Sequence, residues 1–379
     1  MNFKHRFIYS LLRWPIALFL LIKFNYRFSV AKDLPENYIV LSNHNTDFDP
    51  LFVALSFPKQ MYFVASEHIA RWKNAFKFIR FGFDPIMRYK GSVAASTVME
   101  VLRRVRDGNR VCIFAEGARS WDGITNPILP STGKMVKNAR CALVTYKIIG
   151  GYFASPNWSE GNGNRRGHIR GDVVNVYTAE QLASMSVDEI NEVIARDLYE
   201  DAYARQLQEP KRYKGKNLAM RMENLLFICP ECGAVDSISS SGGTVSCSAC
   251  SHSFDYDEYG MLVGSRFKTV RELSDWQLTA IRQAAAEDKS FSASGATLSS
   301  VSKHTETPVS SGTATISPEA ISCGGVSIPI ADITELAMHG RHAVVFSVGK
   351  SYYELISAKE NMLKFHLLYN EYKSKVIVR

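Results

Sequence analysis

The sequence predicts an α/β domain with a mostly parallel sheet flanked by helices, followed by a small cysteine-bearing module and a β-rich domain closed by one helix. Three observations carry this. Over the first 215 residues, short apolar runs typical of buried strands alternate with segments of helical spacing. Four of the seven cysteines then fall in two Cys-x-x-Cys pairs. From Thr313 onward, several runs rich in Val, Ile and Tyr precede a last helical stretch. At 379 residues and 46% hydrophobic content, the chain can bury two or three cores.

The amino-terminal segment comes first. Met1 to Lys32 holds Lys4, Arg6, Arg13, Lys23, Arg27 and Lys32 and no acidic residue, interleaved with Phe3, Phe7, Tyr9, Trp14, Phe19, Phe24 and Tyr26. Basic and aromatic residues in this mixture suit an anionic membrane surface. The longest apolar run, Trp14 to Ile22, has nine residues, whereas a spanning helix needs roughly 17 to 25. A single crossing is therefore not expected. Pro15 separates two apolar stretches, Phe3 to Leu12 and Ile16 to Phe24, which predicts a helical pair lying in one leaflet over residues 1–30. The competing expectation is an amphipathic helix docked on the protein's own core. No small-residue cleavage site follows Ile22, so the segment is expected to stay attached.

In the α/β domain, expected over residues 31–215, Tyr38 to Leu41 reads as a buried strand and Pro50 to Leu55 begins a helix. Val93 to Arg106 has helical spacing and is closed by Asp107-Gly108-Asn109. Strands are expected at Arg110 to Phe114, Leu143 to Ile149 and Val173 to Tyr177, then one long helix from Val187 to Arg205. The stretch Arg71, Trp72, Lys73, Phe76, Lys77, Phe78, Arg80 and Phe81 is a second basic-aromatic surface. It is read either as a solvated helix face with core aromatics or as a continuation of the membrane-facing side.

A polar cluster stands directly after the first buried strand: Asn43-His44-Asn45-Thr46-Asp47-Phe48-Asp49. A turn there brings the Asp49 carboxylate onto one imidazole nitrogen of His44, the arrangement a general base and its orienting partner require. Spacing alone does not single the pair out, because His252 and Asp257 have it too. That second pair trails Cys250 in a small acidic module, whereas His44 sits at a strand end of the large domain, where α/β sites form. Two further segments follow: Gly82-Phe83-Asp84-Pro85-Ile86-Met87-Arg88 and Phe114-Ala115-Glu116-Gly117-Ala118-Arg119-Ser120.

These three segments, in this order, resemble the blocks of the glycerolipid acyltransferase family, which includes the 1-acylglycerol-3-phosphate acyltransferases. The resemblance covers roughly residues 1 to 205. It implies that His44 is the general base and Asp49 its orienting partner, that Arg88 and Arg119 bind the acceptor's phosphate, and that Glu116 with Gly117 shapes the acceptor site. Guanidinium groups suit phosphate because their planar fork donates two hydrogen bonds to its oxygens. The implied reaction moves a fatty acyl group from acyl-CoA or acyl carrier protein to a hydroxyl of a lysophospholipid, on the cytoplasmic side of a membrane, by a peripheral or monotopic protein. No catalytic metal is expected. The chain departs from the family at Ala115, where Pro is usual, at Ala118, where Thr or Ser is usual, and at Thr145, where a Pro is lost. Those departures bear on which acceptor is recognised.

Cys229-Pro-Glu-Cys232 and Cys247-Ser-Ala-Cys250 have the spacing Cys-x2-Cys-x14-Cys-x2-Cys. Four thiolates so placed can surround Zn²⁺ with no open position, a structural zinc ribbon expected over residues 222–262. Ribbons also occur in nucleic-acid-binding proteins, which supplies a rival function. Charge placement argues against it: Glu223 to Leu262 contains no Lys or Arg, while Glu223, Glu231, Asp236, Asp255, Asp257 and Glu258 are acidic. No nucleic acid is therefore expected, and a structural or protein-binding ribbon is. A non-catalytic membrane tether that holds a protein partner would leave His44, Asp49, Glu116 and Arg119 unemployed.

Residues 263–379 are expected to form a helix and β-rich domain. Ser, Thr and Gly dominate from Ser290 to Thr315, which reads as a linker or short exposed strands. Strands are expected at Thr313 to Ser322, Val326 to Ile330, Val344 to Val348 and Tyr352 to Ile356, then a helix with Met362, Phe365, Tyr369 and Tyr372 on one face. A small sheet closed by a terminal helix resembles the pleckstrin-homology-like architecture.

Overall fold

Continuous β-branched and aromatic runs flanked by helical segments assemble here into a layered α/β unit. The computed structural model describes residues 3–66, 69, 73–88, 94–302 and 305–378. It divides into two units, Met1–Asn157 with Asn164–Gly215, and Trp158–Gly163 with Lys216–Arg379. The first unit runs α1 (Phe3–Phe24), β1 (Tyr26–Phe28), β2 (Tyr38–Ser42), α2 (Asp49–Ser56), β3 (Tyr62–Ser66), α3 (Lys73–Phe83), β4 (Ile86–Arg88), α4 (Ala94–Arg106) and β5 (Val111–Phe114). It continues with α5 (Ser131–Ala139), β6 (Ala142–Ile149), α6 (Gly151–Ala154), β7 (Ile169–Tyr177), α7 (Ala179–Ser184), α8 (Val187–Leu198) and α9 (Ala202–Gln208).

Its seven strands lie in the order β1-β7-β6-β2-β5-β3-β4. All neighbours are parallel except β6 and β7, so the sheet is mostly parallel. Every residue of β2 is buried, as a central strand covered on both faces requires. Ile39 and Leu41 join a core with Val101 and Val105 of α4, Val136 of α5, and Ile190 and Ile194 of α8. On the other face Tyr38 packs against Phe57, and a buried hydroxyl cluster holds α2: Tyr26 donates to the Phe52 carbonyl at 2.8 Å, and Ser56 Oγ meets the Tyr146 hydroxyl at 2.5 Å.

Two expectations in this unit need correction. The amino terminus is one continuous 22-residue helix through Pro15, not a helical pair. It is apolar and long enough to cross a membrane, about 33 Å at 1.5 Å per residue. The nine-residue run underestimated it because Lys23 and Arg13 do not interrupt a helix as they interrupt an apolar string. Pro15 is accommodated because contacts on both sides of it hold the helix: Tyr9 donates to the Ala54 carbonyl at 2.6 Å, Arg13 to the Phe57 and Leu55 carbonyls at 2.6 Å each, and Leu20 and Phe24 are buried. The expected helix from Val187 to Arg205 is two helices, broken at Tyr199 to Asp201. Asp201 caps α9 by accepting from Ala204 N at 2.8 Å, so an N-cap inside the run marks the break. Of the basic-aromatic stretch, Arg71 and Trp72 lie outside the described residues, as does Val93; in α3, Phe78 and Phe81 are exposed.

The second unit contains β8 (Ile238–Ser241), β9 (Thr244–Cys247), β10 (Ser253–Tyr256) and β11 (Leu262–Val263), an antiparallel sheet in the order β11-β10-β9-β8. Then come α10 (Val270–Ala286), β12 (Phe291–Ser302), β13 (Thr305–Ile316), β14 (Ala320–Cys323), β15 (Val326–Pro329), β16 (Ile333–His339), β17 (Ala343–Val348), β18 (Ser351–Ile356) and α11 (Leu363–Val378). The large sheet has the order β15-β14-β13-β12-β18-β17-β16. Met362, Phe365, Tyr369 and Tyr372 are all buried, as the terminal helix pattern predicted. The Ser, Thr and Gly stretch is neither a linker nor short strands: β12 and β13 are twelve residues each. Phe291, Ala293 and Leu298 enter the core, while Ser292 pairs with Thr315 across the strands at 3.1 Å and Thr297 with Ser311 at 3.2 Å.

Candidate active site

Strand register builds the site. Ser42 of β2 pairs in parallel with Phe114 of β5, so His44 and Glu116, each two residues further on, are neighbours at the carboxyl ends of the strands. Parallel strands present this edge to ligands. The loop from Asn43 to Phe48 turns back on itself and enters α2 at Asp49, with Pro50 in the first turn. His44 Nδ1 lies 2.8 Å from Asp49 Oδ2; the His44 side chain is 22% exposed and that of Asp49 is fully buried. Asp49 also accepts from Asn45 N at 2.6 Å, Thr46 N at 2.9 Å and Thr46 Oγ1 at 2.7 Å. Four polar contacts thus converge on one buried carboxylate at a helix amino terminus. In the tautomer that donates Nδ1–H to Asp49, Nε2 carries the lone pair.

Glu116 is a buried strut. Its Oε1 accepts from His44 N and its Oε2 from Asn126 N, both at 2.6 Å. Burial pushes its carboxyl up to about 8, against the pull of those two backbone N–H groups. The next residue, Gly117, has φ +71°, a conformation that glycine adopts without strain; its N–H closes the turn on the Phe114 carbonyl at 3.2 Å. Arg88, at the end of β4, reaches this turn: its Nη1 lies 3.5 Å from where a Gly117 side chain would begin. Arg119 is nearly buried and its Nη1 stands 3.0 Å from Asp47 Oδ2. Ser120 N donates to the His44 carbonyl at 3.0 Å, tying this loop to the histidine loop.

His44, Asp49, Glu116, Gly117, Arg88 and Arg119 thus converge on one end of one sheet. Three contributors escaped the sequence reading. Phe114 stacks on the imidazole, with centroids 4.4 Å apart and planes 20° apart. Asn43 bridges to β6 through Ile148, donating to its carbonyl at 2.9 Å and accepting from its N–H at 2.7 Å. Asp47 pairs with Arg119; its signal was an acidic residue between His44 and Asp49. The His252 and Asp257 pair does not form, because Asp257 Oδ1 accepts from the Tyr259 and Met261 backbone, each at 2.8 Å.

The four cysteines of the second unit also converge. Their sulfurs all lie within 4.8 Å of one another, with Cys229 and Cys250 3.7 Å apart and Cys232 and Cys247 3.8 Å apart. Tetrahedral thiolates at about 2.3 Å from Zn²⁺ stand about 3.8 Å apart, so the donor set fits. Each knuckle closes with a backbone bond back to its first cysteine, Gly233 N to the Cys229 carbonyl and Ser251 N to the Cys247 carbonyl, both 3.0 Å.

Residues 25–149 match the family model described as Acyltransferase. That segment carries the His44, Arg88 and Arg119 blocks. Among solved structures, the chain is similar to the 1-acyl-sn-glycerophosphate (LPA) acyltransferase PlsC from Thermotoga maritima, with a TM-score of 0.44 and 17% identity over 54% of this chain and 81% of that chain. No curated protein matches.

Proposed function

We propose that the first unit is a lysophospholipid acyltransferase that moves a fatty acyl group from acyl-CoA or acyl carrier protein to the free hydroxyl of 1-acylglycerol-3-phosphate or a related lysophospholipid. The observation that carries this reading is the buried Asp49 holding His44 Nδ1 at 2.8 Å, with Arg119 fixed next to it. Nε2 of His44 takes the acceptor hydroxyl's proton. The oxygen attacks the thioester carbonyl, the carbon–sulfur bond breaks, and the thiolate recovers the proton from the imidazolium. No acyl-enzyme is required. Arg119 and Arg88 hold the phosphate, while Glu116 acts through backbone, fixing His44 and Asn126 rather than touching the lipid.

The outward face of α1 supports a membrane-associated setting. Phe3, Phe7, Leu11, Trp14, Leu18 and Ile22 recur at helical spacing and are exposed. Bulky apolar side chains left in water along a whole helix face favour a lipid surface. In the second unit, the cysteine cluster would hold a structural Zn²⁺, and the order of the large sheet with its closing helix supports the pleckstrin-homology-like reading. Purified protein incubated in detergent with a panel of lysolipids and both donor types tests the function, with products identified by mass spectrometry. A new ester on at least one lysolipid is expected; none with any acceptor would sink the reading.

A further inference from the structure

Next to the chain's exit from α1, the first unit holds an open pocket of about 250 Å³ that shares no residue with the His44 site. Its floor is apolar, from Ile149, Phe153 and Ala202, and its rim is basic, from Arg27, His168, Arg170, Arg205 and Lys211. Two glutamates also line it, and both are engaged. Glu200 accepts from Arg205 Nε at 2.7 Å and Nη2 at 2.8 Å, and Glu209 Oε1 stands 2.6 Å from Lys211 Nζ. The other basic groups are in excess. Arg170 faces Asp172 in an exposed pair at 3.5 Å, while Arg27 and His168 make no ion pair among the described residues.

Strand register concentrates that excess. Arg27 of β1 and Arg170 of β7 are direct partners in the parallel pair, so their Cα atoms stand about 5 Å apart with both side chains on one face of the sheet. Like charges side by side on neighbouring strands repel, and an anion held between them removes the repulsion. Two guanidinium forks suit the oxygens of a phosphate. The surroundings indicate where that phosphate comes from. Asn25, in the pocket wall, donates its N–H to the Leu21 carbonyl at 2.9 Å, and Arg166 Nε donates to the Ile22 carbonyl at 2.9 Å. The basic rim thus adjoins the end of α1, where Leu18, Leu21 and Ile22 are exposed. A basic rim, an apolar floor and an apolar helix face match the headgroup, glycerol esters and acyl chains of one amphiphile. We propose that this pocket binds the phosphate of an anionic phospholipid, at a place separate from the acceptor site. This rests on the membrane-facing reading of α1 above.

The test floats full-length protein with phosphatidylcholine vesicles, plain or doped with phosphatidic acid, at fixed ionic strength. Wild type is compared with Arg27→Gln/Arg170→Gln and with Arg6→Gln/Lys32→Gln, which removes the same charge from exposed positions outside the pocket. Doping should raise wild-type affinity by roughly tenfold or more. Arg27→Gln/Arg170→Gln should lose most of that gain, and Arg6→Gln/Lys32→Gln should keep most of it. An equal loss in both variants, or a gain that the pocket variant retains in full, overturns the pocket. Inorganic phosphate and CoA are titrated in parallel. Binding of either that depends on Arg27 and Arg170, with no gain from phosphatidic acid, overturns the lipid as the source. Wild-type flotation with plain vesicles but no gain on doping overturns the pocket and leaves the membrane reading of α1 standing. Flotation with neither vesicle overturns both.

Discussion

Glu116 is the residue on which the site's geometry depends most while touching no substrate in the proposed reaction. Both oxygens are taken by backbone N–H groups, and an amide in its place offers one acceptor and a donor that faces a donor. Glu116→Gln should therefore cost about 1–3 kcal/mol of stability, the desolvation penalty of a buried unpaired N–H, in urea unfolding. The carboxyl also gives stability a pH dependence. Held up to about 8 when folded, it keeps a proton that the unfolded chain releases near 4.3. Its contribution is full below that value and is lost as pH rises through about 8, so unfolding free energies measured from pH 5 to 8.5 should decline. Glu116→Gln should flatten that decline; an identical slope would contradict the assignment. At this scale the sequence was legible where a motif named the residue, as with His44, Asp49 and Arg119. It was silent on Phe114 and Asn43, whose roles depend on which strands become neighbours, and on Glu116 as a strut, because nothing in a Glu codes for two backbone donors.

Among elements, α1 has two faces that composition merged. One face is docked: Arg13 donates to carbonyls at the end of α2 that no intrahelical N–H can reach. The other exposes Phe7, Leu11, Trp14 and Leu18. The docked face bears out packing of this helix on the protein, and the exposed apolar face is the one proposed to meet a lipid surface. Charging the outward face with Trp14→Glu and Leu18→Glu should reduce flotation with anionic liposomes at least severalfold and leave the thermal midpoint near wild type. Arg13→Ala should do the reverse, lowering the midpoint first. Equal flotation by the Glu variant would end the membrane role of this helix. Pro15 and Lys23 misled a reading based on apolar runs, since a helix tolerates both when its side chains find partners. The Ser, Thr and Gly stretch misled it likewise, because strands of small hydroxyl residues carry little hydrophobic pattern and are set by cross-strand pairing.

At the scale of the whole molecule, the two units have separate cores, and within the second the ribbon is not an autonomous module. Phe227 and Ile228, just before Cys229, belong to the same core as the large sheet and α11. Gln277 of α10 accepts from both of their N–H groups, at 2.8 and 3.1 Å, and buried Lys364 pairs with Asp236. Metal removal should therefore melt this unit as one. Chelation or Cys232→Ser is expected to abolish about one equivalent of bound zinc and lower the unfolding midpoint of the second unit by several degrees, while a midpoint unchanged on loss of zinc would contradict a structural role. The sequence revealed the cysteine spacing but not this shared core, nor that Trp158–Gly163 belongs to the second unit, with the Trp158 carbonyl accepting from Asn224 at 2.9 Å; long-range packing leaves no local pattern. The proposed acyl transfer turns on His44, oriented by Asp49, in the first unit. Its most direct measurement compares wild type with His44→Ala in ester formation on a lysolipid from an acyl thioester, both proteins first matched in unfolding midpoint. A fall of roughly 10²-fold or more is expected for a lost general base; full acyl transfer by His44→Ala would contradict the account.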